Sequence, residues 1–146
     1  MEHWKREFPS FKPEQLFALV SDVENYPIFM PACVSARILE KSERIWQVEN
    51  VFGVGPVRRR FLCVAKLDPP RAIDISSNDG LWRDFHISWR FESSGSGCCV
   101  SCASRAVFRS PLLAALAKIS QGEMEDRIIS AFEARARTLF GHHRRQ

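Results

Sequence analysis

The stretch that most constrains this chain is Pro111 to Phe140, thirty residues that read as one long helix. Ser110 is a good N-cap, Pro111 sits where a first-turn proline is tolerated, and Gly141 follows the apolar pair Leu139 and Phe140 as a stop signal. Between these marks Leu112, Leu116, Ile119, Met124, Ile128, Phe132 and Leu139 recur mostly at steps of three, four or seven, with a slip of one position around Gly122. At 1.5 Å per residue such a helix is roughly 45 Å long, enough to cross a small domain. A helix of that length needs a broad partner, and the preceding residues read as strands. The expected architecture is therefore α+β, a curved antiparallel sheet wrapped around a C-terminal helix.

A chain of 146 residues is expected to form one domain, here residues 1–141, followed by a basic tail at 142–146. Apolar residues make up 45% and aromatics 11%, which is too rich for disorder and leaves ring surface to line a cavity. No apolar run approaches the roughly eighteen residues that span a membrane. Met1 to Pro9 is charged and has no signal-peptide core, so the expected location is the cytoplasm or, peripherally, the inner face of a membrane. Cys33, Cys63, Cys98, Cys99 and Cys102 are an odd number in a chain without an export signal and read as free thiols.

The net charge of +4 is concentrated in Arg58, Arg59 and Arg60 and in the tail, His142, His143, Arg144 and Arg145. This fits a polyanionic surface such as RNA or anionic lipid, although a solvated charge run is the plainer reading. On a strand Arg58 and Arg60 face away from Arg59, which splits the patch. No aromatic-studded nucleic-acid signature accompanies the arginines, and no DNA partner is expected.

Along the chain, His3 to Phe8 reads as a first strand and Pro13 opens a short helix whose buried face is Leu16, Phe17, Val20 and Val23. Asn25 to Cys33 carries prolines at 27 and 31, so it reads as a short helix or a compact apolar loop. Strands follow at about 34–40, 44–52, 57–66, 72–78, 81–92 and 98–108, separated by short turns that make an antiparallel meander. The cleanest alternation sets Phe85, Ile87, Trp89 and Phe91 against Asp84, His86, Ser88 and Arg90, one dry face and one wet face. Trp46, Val48, Asn50 and Phe52 share a face, and so do Leu62 and Val64, bounded by Arg60 and Lys66. An apolar wall holding an isolated polar group is the makeup of a small-molecule pocket, while each such residue taken alone reads as plain core. Gly122 within the long helix reads as room left for a ligand or as a tolerated surface glycine.

Chemistry is sparse. Cys99 and Cys102 have a metal-ligand spacing but point to opposite faces of a strand, no second pair exists, and no metal is expected. Asp84 and His86 share the outer face with no nucleophile at a defensible spacing, so no catalytic residue is assigned. Gly53 to Pro56 reads as a hairpin turn rather than a phosphate loop.

Three blocks, however, resemble a known family: Pro13 to Val20 with Asp22 to Pro27, Phe29, Pro31 and Cys33; Leu67 to Ile73 with Asp79, Gly80 and Trp89 to Phe91; and Ala131, Phe132, Arg135 and Ala136. Together they resemble the coenzyme Q-binding START-domain family, which also contains the bacterial RatA-type ribosome-association toxins. The resemblance implies the helix-grip fold, a curved sheet gripping the last helix around an internal apolar cavity. It also implies noncatalytic binding of ubiquinone or a related polyisoprenoid in support of respiratory electron transfer, with blocking of ribosomal subunit association as the alternative role. No further cofactor is implied. Lys12 and Pro13, Ile28 and Ala32 depart from the family pattern, Ala32 standing where tryptophan or glycine is frequent. On this basis the expected cavity lining is Trp46, Val48, Asn50, Phe52, Phe85, Ile87, Trp89, Ile128 and Phe132. Tyr26, Pro27, Phe29 and Pro31 are expected to shape its entrance, and Asn50 or a rim arginine to meet the head-group carbonyls.

Overall fold

The computed structural model describes residues 2–117 and 121–141, with residues 2 and 121–125 described by backbone alone. The readings made for Ile119, Gly122, Met124 and the tail at 142–146 therefore lie outside the described side chains. Short breaks between apolar-patterned runs leave consecutive strands no connection but a hairpin. β2 (Cys33–Lys41), β3 (Ile45–Val54), β4 (Val57–Asp68), β5 (Ala72–Ser77), β6 (Trp82–Ser94) and β7 (Gly97–Phe108) accordingly form a meander. β1 (Glu2–Phe8) adds to the far side of β7, giving seven antiparallel strands in the order β1-β7-β6-β5-β4-β3-β2. At the β5–β6 turn Asp79 accepts the Leu62 N–H at 2.8 Å. Gly80 there has φ +62°, and a β-carbon would lie 2.5 Å from the Arg60 carbonyl oxygen, so only glycine fits.

Helices close the concave face. α1 (Pro13–Ser21) buries Leu16, Phe17, Leu19 and Val20, and its start is held by the Lys12 N–H donating to Gln15 Oε1 at 2.8 Å. A 3-10 turn, Val23–Asn25, leads into the one-turn α2 (Tyr26–Phe29). The helical stretch expected over Pro111–Phe140 is described on either side of residues 118–120, which lie outside the described residues, as α3 (Pro111–Ala117) and α4 (Gln121–Phe140). α3 buries Leu113 and leaves Leu112 68% exposed, with the Leu116 backbone set against the β3–β4 turn at Gly55. α4, about 30 Å long at 1.5 Å per residue, buries Ile129, Phe132 and Ala136, with Ile128 partly buried beside them.

Phe132 is 0% exposed, and its ring centroid lies 5.4 Å from those of both Phe8 and Trp89. This is where the last helix meets the first strand and the middle of the sheet. Phe132→Ala is expected to cost about 3–5 kcal/mol in urea unfolding. Ile28→Ser, at a residue 67% exposed, is expected to stay within about 0.5 kcal/mol.

Candidate functional site

Alternation along β3, β4 and β6, with β5 between the last two, builds much of the concave wall. β3 turns Val48, Asn50 and Phe52 inward, β4 turns Phe61, Cys63, Ala65 and Leu67 inward, and β6 contributes Trp82, Phe85, Trp89 and Phe91, with Ile87 partly buried among them. The expected inward pair Leu62 and Val64 lies on the opposite, convex face. The alternative set on β4 carries one continuous apolar series, whereas Leu62 and Val64 share their face with Arg60 and Lys66, whose charges stay in water. Phe61, absent from the expected lining, is 4.8 Å from Phe52 and 5.9 Å from Phe85.

Two ring clusters result. Under α1 and α4 lie Phe8, Phe17, Trp89, Phe91 and Phe132; towards α3 lie Phe52, Phe61, Trp82, Phe85 and Phe108. Asn50 is the single buried polar residue among the described ones, and its Nδ2 donates to Cys63 Sγ at 3.2 Å. Trp46 sits at the sheet end, its indole N–H donating to the Ser42 carbonyl at 3.1 Å with Lys41 Nζ 4.6 Å above the ring.

The four expected entrance residues divide. Pro27 is exposed, whereas Tyr26 points inward, its hydroxyl donating to the Val20 carbonyl. Phe29 and Pro31 line a groove of about 420 Å³ with Asp126, Arg127, Ser130 and Ala131 of α4. The Arg135 guanidinium lies 5.3 Å from the Phe29 ring centroid, tying Phe29 to α4. A second hollow, about 480 Å³, opens on the convex face around Gln47, Leu62, Val64, His86 and Arg105. Each ring cluster is closed by its own ring-to-ring contacts.

The polar groups near the interior are held neutral. Burial pushes the Cys33 and Cys63 thiols up to about 11, with the Asn50 hydrogen bond partly offsetting this at Cys63. Burial likewise drives the Tyr26 phenol far above its ordinary value. Asp84 and His86 do share the convex face, but each is engaged elsewhere: Asp84 with Arg105 at 2.5 Å, and His86 Nε2 4.0 Å from Asp74. No cluster of three or more metal-ligating side chains occurs among the described residues. No described helix is long and apolar enough to cross a membrane.

A family profile described as polyketide cyclase/dehydrase and lipid transport matches residues 9–133. The chain belongs to that family. This member of the polyketide cyclase/dehydrase and lipid transport family is 29% identical over 127 residues to the ribosome association toxin RatA of Pseudomonas aeruginosa, covering 86% of this chain and 88% of that protein. It is 27% identical over 146 residues to the mitochondrial coenzyme Q-binding protein COQ10 homolog B of Xenopus laevis, where it covers 97% of itself but spans 60% of that protein's length. A START superfamily protein from Mycobacterium smegmatis superposes with a TM-score of 0.77 at 17% identity, covering 94% and 97% of the two chains, a likeness of fold alone. The resemblance and the START-like fold inferred from the sequence both stand.

Two expectations follow from the local geometry. A thiol whose folded pKa is raised stabilises the fold below its ordinary value of 9.0 and loses that contribution as pH climbs towards 11. Unfolding free energy should therefore fall across that window. Iodoacetamide at about pH 8 should leave Cys33 and Cys63 unmodified in peptide mass maps until denaturant is added, because the thiolate is the nucleophile. Ala32, just before β2, has φ +69° while its carbonyl accepts the Gly53 N–H. A left-handed alanine costs roughly 1–2 kcal/mol, partly offset by the greater unfolded-state freedom of glycine, so Ala32→Gly is expected to raise the melting temperature by about 1–2 °C.

Proposed function

We propose that the chain is a noncatalytic carrier holding an uncharged polyisoprenoid lipid, ubiquinone foremost, between the concave sheet face and α4, in support of respiratory electron transfer. The observation that carries this reading is the makeup of that face, aromatic and aliphatic throughout with the Asn50 amide as its single buried polar residue among those described. Burial of an isoprenoid tail at about 25 cal/mol per Å² supplies the driving force, and the amide is suited to a neutral head group. A cyclase-type reaction calls for an acid or base inside the fold. Burial opposes ionisation of the thiols and the phenol near this face, so none is available as a base at neutral pH and each is a weakened proton donor, which supports binding without catalysis. The groove at Phe29, Pro31 and α4 is the proposed entrance, and loading requires the ring clusters to part.

A second reading, action on the ribosome, is favoured by the fuller coverage of the RatA relative, 88% of its length against 60% for the coenzyme Q-binding relative. Arg58 and Arg59 are exposed and supply positive charge for it, whereas Arg60 is paired with Glu49 at 2.6 Å.

The deciding experiment is gentle purification, solvent extraction and mass spectrometry of bound lipid, with Phe29→Ser as the entrance variant. The carrier reading expects a quinone or polyprenyl species near one per protein and slower uptake by the folded variant. No lipid, together with cosedimentation on ribosomal subunits that falls steeply with salt, would replace it with the ribosomal reading.

A further inference from the structure

Trp82 carries a buried side-chain nitrogen that meets no hydrogen-bond partner among the described residues, in a residue only 4% exposed. An indole N–H can only donate, and burial strips it of water, so leaving it unmatched carries the full desolvation penalty. The other polar groups around the interior are matched: Asn50 on Cys63, Trp46 on the Ser42 carbonyl, Tyr26 on the Val20 carbonyl. What surrounds Trp82 is ring surface. Phe85 stacks on it at 4.6 Å, Phe108 lies at 4.8 Å, and Phe61 and Phe52 stand nearly perpendicular at 5.7 and 6.2 Å. A phenylalanine would fill such a box with no orphaned donor.

The backbone presents this indole deliberately. Counting back by twos from Phe85 would put Trp82 on the convex face beside Asp84. Between Trp82 and Asp84, however, the β6–β7 register shifts, and this bulge lets Trp82 and Phe85, three apart, share the concave side. The distorted strand end is then pinned by one side chain, since the Arg109 guanidinium donates to the carbonyls of Asn78, Gly80 and Trp82 at 2.5, 3.3 and 2.9 Å. A clamped bulge that aims a lone donor into an aromatic box has the form of a preorganised ligand contact.

We propose that the Trp82 indole N–H donates a hydrogen bond to a carbonyl oxygen on the ring of the bound lipid's head group, so that the protein selects an oxygen-bearing, quinone-like head over a plain hydrocarbon. This rests on the carrier reading and adds the residue that recognises the head. The carbonyl meets the N–H in the plane of the indole, so the ring of such a head lies beside the indole rather than over its face, where the neighbouring phenyl rings can pack against it.

The test uses two probes with the same ten-carbon tail, decylubiquinone and decylbenzene, and two proteins, wild type and Trp82→Phe. In the wild type, the indole N–H proton resonance that disappears in Trp82→Phe is expected to move downfield on adding decylubiquinone and to show no such downfield shift with decylbenzene. Trp82→Phe is expected to bind decylubiquinone about tenfold more weakly and decylbenzene unchanged, and to melt no lower than wild type when ligand-free. If wild type binds decylubiquinone but the resonance stays put, or the variant binds it equally well, the Trp82 assignment falls and the carrier reading survives. Equal loss of both probes in the variant points to ring packing and also overturns the assignment. Failure of wild type to bind either probe overturns the carrier reading and the assignment with it.

Discussion

The fold depends on one covered surface, the concave face of the seven-stranded sheet, and the contact that seals it is Phe132 against Phe8 and Trp89. These three residues come from the edge strand at the chain's start, a strand in the body of the sheet, and the helix at its end. Trp4 extends the same contact, its ring 5.7 Å from that of Trp89 in an edge-on arrangement. Backbone hydrogen bonds can assemble the meander from neighbours in sequence, but they cannot cover its inner face. Only an apolar helix returning over that face removes the buried rings from water, so α4 is the element whose loss the sheet cannot tolerate.

The two ends of the concave face are covered differently, and this difference bears on function. The cluster around Phe132 is clasped by α1 and α4, with Phe11 against Phe140 adding a further contact at 6.2 Å. The cluster around Trp82 lies towards α3, whose described residues bury Leu113 and half-bury Leu116 and Ala117. Among the described side chains, α3 thus sets less apolar area on its end than α4 sets on the other. The basic run at 58–60 borders that end, and the sheet has already divided it: Glu49 takes both Arg37 and Arg60, leaving Arg58 and Arg59 unpaired with any acidic side chain in the described ion pairs.

The order of the meander from β2 to β7, its strand limits and the wet and dry faces of β6 were legible in the sequence because turn residues and strict alternation report them directly, whereas the pairing of β1 with β7 was not. Along the last helical stretch the stripe was drawn through Leu112, whereas the residue buried there is Leu113. On β4 both faces carry apolar residues, and the choice of Leu62 and Val64 ignored the stronger signal, the charges of Arg60 and Lys66 on that same face. Trp82 was not legible at all. A bulge changes the count by one without any residue that marks it, and only the paired strand reveals that two positions three apart face the same way.

The interior's neutrality narrows what it can hold. Burying an ionised group requires a partner of opposite charge or a set of strong hydrogen bonds. Among the described residues the concave core offers neither: its buried polar side chain is an uncharged amide, and the arginines and carboxylates form their pairs with each other outside it. The phenol of Tyr26 cannot serve as a counter-charge, since its proton is committed to the Val20 carbonyl and burial opposes its loss. A fatty-acid carboxylate or a phospholipid phosphate would enter this space unpaired. An uncharged head with carbonyl acceptors meets no such penalty, and the indole donor of Trp82 gains a partner when it arrives.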